Sequence, residues 1–435
     1  MKRFFYFILT IGVSLSLLLT TSCHKDDAGK PEWPLMQKSS HTLIMYLIGT
    51  ELDWAYNDNI TATKNALCKL SSPGEALSAA VSKPRVLFFR HKDGDRSKGE
   101  IVELVYHRGQ CAEKTLATIS MPLSVSNEDM TSYLKMMMDL APADSYGLIF
   151  GSHALGWVPI DAPGIKEVCV ANNRKLDFGK LENIAKGNPS SFIGEGHHPN
   201  FDIPEGISNM FDIDDLASIL TSTDVKFEYT IFDACLMANV EALYDLRHTS
   251  KYIIASVCEI MGKGFPYMTV VPKLLSEGGE YFDLDGVCRA YNTYYAEEVG
   301  YSGSISLIDC SEMEALADIT KQVIATSSSD IIMPDIDSEN EPTVTLQTYD
   351  GARLFYDFGQ YINHICKDES QRAAFNAQLN RTVVSKYTLE RFYSMIGWSS
   401  IYTINPDVYS GISTSLPSSL YRSYYVQTAW YKATH

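Results

Sequence analysis

Two residues carry the chemistry open to this sequence, a histidine and a cysteine placed alike. Tyr146-Gly-Leu-Ile-Phe-Gly-Ser-His153 is an apolar run that ends in the histidine. Phe227-Glu-Tyr-Thr-Ile-Phe-Asp-Ala-Cys235 is a second run, ending in the cysteine. Short apolar runs of this kind read as buried strands. In open α/β sheets ligands bind outside the carboxyl ends of the strands, so each run delivers one reactive side chain to the place where a substrate would arrive. A thiol attacks as its thiolate and needs a neighbouring base or cation. A lone cysteine in an apolar pattern is more often an inert core thiol, and a lone histidine among glycines is as readily a hydrogen-bonded loop residue. The matched placement of the two favours a nucleophile and its base. Leu236–Leu243 reads as a helix, which would set Cys235 at a helix N-terminus, where the dipole favours thiolate and backbone N–H groups can receive an oxyanion.

The elements around these runs alternate between strand and helix. Leu43–Ile48 reads as a first buried strand, Leu52–Leu70 as a helix, Val86–Phe89 as a second strand, and Ile101–Tyr106 as part of a hairpin or edge. Ser126-Asn-Glu-Asp129 is a capping box, and Met130, Tyr133, Leu134, Met137 and Met138 follow it at helical spacing. Asp212–Leu220 reads as a helix, Tyr252–Ser256 and Ile305–Ile308 as strands, and residues 311–327 as a helix. Such alternation predicts an α/β fold, a mainly parallel sheet covered by helices on both faces. Residues 158–210 are irregular and rich in Gly, Asn and Pro, an insertion between the histidine and cysteine strands, and residues 328–345 read as an exposed acidic connection.

The chain has 435 residues and a formal charge of −17, which argues against nucleic acid or an anionic membrane surface as a partner. Residues 1–22 have the pattern of a signal peptide: Lys2 and Arg3, an apolar stretch from Phe4 to Leu19, then Thr20-Thr21-Ser22. Cys23 follows directly and resembles the lipidated cysteine of bacterial lipoproteins. Residues 23–40 read as a tether, and Lys25-Asp26-Asp27 within it resembles the surface-export signal of Bacteroidetes lipoproteins. The expected location is therefore the outer membrane, facing outward on a lipid anchor. None of the nine cysteines has zinc spacing, and they read as mostly free, buried thiols with no disulfide assignable. Asp212, Asp214 and Asp215 could offer oxygens to calcium but match no EF-hand loop and read better as a solvated helix start. His197-His198 reads as loop, so no metal site is expected.

Tyr146–Trp157 resembles the Y-x-L-I-L-x-x-H-G-x-G-W segment of clostripain-type cysteine peptidases. Phe232-Asp-Ala-Cys235-Leu-Met-Ala-Asn-Val-Glu241 resembles their F-D-A-C-L-M-x-x-V-E segment. Ala255-Ser256, Gly262-x-Gly264-Phe265-x-Tyr267, Ser304–Asp309 and Tyr409–Ser413 agree in order, so the resemblance spans about 41–435, the expected peptidase domain. It implies a caspase-like fold and peptide-bond hydrolysis through an acyl-enzyme. Cys235 would be the nucleophile, His153 the general base and acid, and the N–H groups of Cys235 and Ala154 the oxyanion donors. It also implies cleavage after Arg or Lys, for which Asp233 is the matching acid; a strand-end carboxylate that caps backbone N–H groups is the equal alternative. The chain departs from the pattern at Ala154, where the family has Gly, at Val257-Cys258, where a polar, often acidic pair is expected, and at Lys263, whose charge would weaken a basic preference. The resemblance implies no obligatory cofactor, with calcium needed by some relatives, and precursor cleavage in some relatives between the histidine and the cysteine, here within 158–210. Two other readings remain: a catalytically inactive surface lipoprotein that binds a protein or peptide partner through the same cleft, and a thiol enzyme such as an acyltransferase.

Overall fold

A computed structural model of the chain describes residues 38–48, 52–70, 84–92, 95–107, 110–122, 124–159, 191–194, 210–275, 282–327, 346–351, 353–396, 400–416 and 419–435. Its strands are β1 (Ser39–Leu47), β2 (Arg85–Lys92), β3 (Asp95–His107), β4 (Gln110–Ser120), β5 (Ala143–Gly151), β6 (His153–Pro159), β7 (Ser191–Gly194) and β8 (Met210–Phe211). They continue as β9 (Phe227–Asp233), β10 (Ser250–Ala255), β11 (Ile305–Asp309), β12 (Tyr356–Asp357), β13 (Val383–Tyr387), β14 (Arg391–Ser394), β15 (Ser400–Thr403) and β16 (Ser413–Thr414). The main sheet runs β13-β11-β10-β9-β5-β1-β2-β3-β4. Its centre, β10-β9-β5-β1-β2, is parallel throughout. Antiparallel wings extend it: β3 and β4 beside β2, β11 and β13 beside β10.

Parallel central strands are apolar on both faces because helices cover both. Along β1, Leu43, Met45 and Leu47 enter one core cluster while Ile44 and Tyr46 enter the other. Helices Asp53–Leu70, Tyr267–Leu274 and Leu284–Glu298 cover the first face, and Asn127–Leu140, Ile213–Thr221, Val240–Leu246 and Met313–Thr326 the second. The capping box at Ser126 forms as expected, Ser126 Oγ accepting from Asp129 N and Asp129 Oδ2 accepting from Ser126 N. The methionine stripe of that helix, Met130, Met137 and Met138, is core. Residues 37–435 form one compact unit.

Three expectations are corrected. β1 starts at Ser39, paired with Ala143, so the first strand begins inside residues assigned to the tether. The hairpin β3–β4 is longer than the 101–106 segment that marked it; β4, Gln110–Ser120, mixes charged and apolar residues as an edge strand open to water can. Cys68, in the last turn of the helix Asp53–Leu70, is bonded to Cys111 of β4 with Cα atoms 5.8 Å apart. Free cysteines among the described residues are Cys235, Cys258, Cys288, Cys310 and Cys366. Cys23, Cys169, the histidines 197–198, the connection 328–345 and most of the insertion 158–210 lie outside the described residues. The cysteines of the disulfide are 43 residues apart; removing it with Cys68→Ser should cost about 2–4 kcal/mol. A thermal melt should show the loss, and a reductant that lowers the wild-type transition should leave that of the variant unmoved.

Candidate active site

β5 and β9 are neighbours at the centre of the sheet, in the register Gly147↔Tyr229 to Gly151↔Asp233. His153 is two residues past Gly151, and Cys235 two residues past Asp233. The equal offsets bring both side chains out at the same edge, on adjacent strands whose axes are about 4.8 Å apart. Beyond the ladder, Ser152 N donates to Asp233 O at 3.3 Å, so the two chains stay together through the turn. The histidine and cysteine singled out from the sequence therefore stand just past the same end of adjacent strands.

The chain does not turn into a helix at Cys235. Leu236 takes φ 59°, a left-handed value that breaks helical continuation. The helix starts only at Val240, with Asn239 as its N-cap: Oδ1 accepts from Ala242 N at 2.8 Å, and Nδ2 donates to Leu236 O at 2.7 Å. The dipole acts within the first turn, so the expected support of a Cys235 thiolate by a helix N-terminus is not present. The residues after the cysteine instead lie along the continuation of β10, Leu236 N on Cys258 O and Ala238 N on Ser256 O. The left-handed turn is held by these bonds, and backbone strain of this kind is characteristic of functional turns.

Gly156 locks the histidine strand to this turn. It has φ 58°, and a Cβ there would lie 2.6 Å from Asn239 Nδ2 and 2.9 Å from Leu236 O. Gly156→Ala is therefore expected to push the Cys235 turn away from β6. Any turnover at the site, read as kcat/KM, should fall by at least about tenfold while stability drops by only about 1–3 kcal/mol. Unchanged kinetics in a folded variant would sink this reading. A third segment closes the arrangement. Ser413 N donates to Ala238 O at 2.9 Å, and Thr414 Oγ1 and Ser415 N donate to Oε1 of the buried Glu241 at 2.7 and 3.0 Å. Trp157 Nε1 donates to Ser415 Oγ. Both reactive strands are thus tied to residues 413–415.

Among the described residues, Ile260 is what holds the Cys235 thiol. Its Sγ lies 3.7 Å from Ile260 O, toward which the thiol donates, and accepts from Ile260 N at 3.4 Å. Burial, helped by the neighbouring Glu259 and Asp233, pushes the thiol up to about 12. In this arrangement it is a protonated thiol at neutral pH. Asp233 is buried; its Oδ2 accepts from Tyr267 Oη at 2.7 Å, and Gly264, at φ 63°, lies so close that a Cβ there would be 2.4 Å from that oxygen. Burial pushes Asp233 up to about 6 against the pull of the Tyr267 and Phe265 donors. Lys263, between the two glycines, is exposed, and no ion pair joins it to Asp233 among the described residues; the Phe265 backbone N–H reaches Asp233 instead. Ala154 is buried in β6, opposite Ile193 of β7. Asp212, Asp214 and Asp215 can bring carboxylate oxygens within 4.8 Å of one another. They head the helix Ile213–Thr221, whose dipole stabilises them, and Asp215 accepts from Asn127 Nδ2 at 2.6 Å.

Glu259 escaped the sequence reading. An acid was sought at Val257-Cys258, and the carboxylate stands one residue later. The Glu241 contact with residues 413–415 was equally hidden, because its partners lie more than 170 residues downstream.

A central parallel sheet with helices on both faces, offering a cysteine and a histidine from adjacent strand ends, defines a cysteine hydrolase of caspase-like architecture. A family model described as the clostripain family matches residues 200–421, just over half of the chain. The chain belongs to the clostripain family of cysteine peptidases. A secreted C11 cysteine protease from Bacteroides thetaiotaomicron, iotapain, superposes with a TM-score of 0.72 at 28% identity, covering 92% of this chain and 100% of its own. A secreted C11 protease from the same organism, bound to an irreversible peptide inhibitor, shares the fold with a TM-score of 0.67 at 24% identity over 91% of this chain and 99% of its own. So does an inactive zymogen C11 protease from Parabacteroides distasonis, with a TM-score of 0.67 at 23% identity over 92% and 100%. Comparison with curated proteins found no match.

Proposed function

We propose that this peptidase is an exported endopeptidase that cuts after Arg or Lys, with Cys235 as nucleophile and His153 as general base and acid. The register Gly151↔Asp233, which sets the two residues at equal offsets on adjacent strands, carries the reading. In the first half-reaction His153 takes the thiol proton as Sγ attacks the scissile carbonyl carbon. The C–N bond then breaks, the proton passes to the leaving amine, and a thioester remains. Water, deprotonated by the same imidazole, hydrolyses it and restores the thiol. The N–H groups of Cys235 and Ala154 receive the oxyanion, and Asp233 pairs with the substrate cation. A peptide-based covalent inhibitor should label the wild-type protein and not Cys235→Ala. Equal labelling of both would remove Cys235 from the role.

The protonated thiol held by Ile260 fits a precursor form, a state named for the P. distasonis relative. Cleavage within 158–210 is the activating step in this reading, and a single full-length band in fully active enzyme would overturn it. Export is supported by the Cys68–Cys111 disulfide, since such bonds persist in oxidising compartments. No helix among the described residues is long and apolar enough to cross a membrane. Attachment to the outer membrane is assigned to lipid on Cys23; incorporation of labelled palmitate that survives Cys23→Ser would refute it. No catalytic step is assigned to a metal: calcium takes about six to eight oxygens, and the cluster Asp212, Asp214 and Asp215 offers three side chains.

A further inference from the structure

Glu259 is fixed in an unusual way for an acid beside a nucleophile. One oxygen, Oε1, accepts from Ser394 Oγ at 2.5 Å, from Met395 N at 2.8 Å and from Ile396 N at 3.3 Å. Its other oxygen, Oε2, has no hydrogen-bond partner among the described residues. The residue is half-buried, and burial of the carboxyl pushes it up to about 7 against the pull of these three donors. The next residue is Ile260, whose N–H and C=O both touch Cys235 Sγ. Consecutive Cα atoms are about 3.8 Å apart, so the backbone that carries this carboxylate adjoins the backbone that holds the thiol, and, beside burial, its charge helps to raise the thiol. Asp233, on the other side of the thiol, is more enclosed: only 8% exposed, its Oδ2 committed to Tyr267 and covered by Gly264.

We infer that Glu259 is a second specificity-determining acid, its Oε2 receiving the cationic end of the substrate residue next to the scissile bond. The inference rests on the Arg/Lys reading above and divides the recognition: Asp233 supplies buried negative charge, Glu259 the oxygen not already engaged by the fold. A carboxylate whose first oxygen is already held by three donors loses little freedom when the second is engaged, which favours a strong charge-assisted bond. Met395 adds a second reason. Its backbone anchors Glu259 while its side chain is 41% exposed, a large apolar group left in water. It offers a surface for the methylene stem of a lysine or arginine, which buries its stem while its charged end seeks a polar partner. The hairpin β14–β15, remote in sequence from both reactive residues, thus becomes part of the substrate site.

The test is kcat/KM on two peptides identical but for lysine or norleucine before the cut, measured on activated wild type, Glu259→Gln and Glu259→Asp. Glutamine keeps an oxygen for Ser394, Met395 and Ile396, so the hairpin retains its anchor. The lysine-to-norleucine ratio is expected to fall by about tenfold or more in Glu259→Gln; taking the ratio cancels any change at the thiol, which both peptides share. In Glu259→Asp, which draws the charge back by one methylene, the ratio should fall partway, and this variant decides the matter should the first not melt cooperatively. A ratio unchanged from wild type in whichever variant folds overturns the inference and leaves Glu259 an anchor of the hairpin alone. A wild type with no preference for lysine would instead overturn the underlying Arg/Lys reading.

Discussion

Cys235→Ala is expected to remove peptide hydrolysis, lowering kcat by about 10³-fold or more in activated enzyme. Among the described residues the next free thiol along the chain, Cys258, is fully buried, and burial drives its pKa well above that of an ordinary thiol, so it is not expected to take over. His153→Ala should cost a similar factor, and the double variant little more than either single one, because the two residues act as one unit. Steady-state kinetics on the three variants measure this. Additive losses would show that they work independently and would dismantle the pair. A linked result concerns the thiol itself. Held up to about 12, it should react slowly with iodoacetamide at pH 7 in the unprocessed chain. Reaction should accelerate once activation opens the thiol to solvent, because burial is what chiefly holds it up.

Asp233→Asn should lower kcat/KM on lysine and arginine substrates by about 10²-fold while sparing uncharged ones. The pH dependence carries the sign. Asp233 titrates at about 6 in the fold, so it is ionised above that pH and neutral below. The preference of wild type for a basic over an uncharged substrate should therefore decline as pH falls through 6. The asparagine variant should show no such decline. Comparing the two substrates cancels the titration of His153, which affects both. Stability should move the opposite way. A carboxyl raised from 3.8 to about 6 favours the fold while protonated, an advantage complete below pH 4 and lost as pH rises through 6. Near pH 8 the asparagine variant should thus be the more heat-stable protein, by up to about 3 kcal/mol, and near pH 4 the two should match. A group kept at a cost to stability and needed for activity is what a functional acid looks like. A variant that loses stability at pH 8 and keeps its basic preference would make Asp233 a structural cap.

Much of the fold was legible because its central strands are apolar on both faces. Leu43–Ile48, Val86–Phe89 and the runs ending at His153 and Cys235 could be read from their apolar pattern, and each holds a central strand, although β1 begins earlier, at Ser39, and β5 and β9 stop two residues short of His153 and Cys235. The edges were less legible. β4 shows a mixed pattern, because an edge strand need not be apolar and its pairing with β3 is a tertiary fact. The Cys68–Cys111 bond was invisible for the same reason: two of nine cysteines become partners only when a helix end is laid against that edge strand.

The same division runs through the site. His153, Cys235 and Asp233 were found in the sequence because local pattern sets each at a strand end, and a strand end is a local property. Local pattern was enough to nominate the candidate pair, to place the chain in its family and to outline the sheet. Their surroundings came from packing. It replaced the expected helix at Cys235 with a left-handed turn at Leu236, because Asn239 caps the helix four residues later. It turned Lys263 outward and laid the glycine beside it on Asp233. It brought Glu259, Ile260 and the hairpin at Ser394 to the thiol, and the segment 413–415 to both reactive strands. These contacts join residues up to about 260 positions apart. Their geometry follows from how layers pack, which no local run of residues encodes.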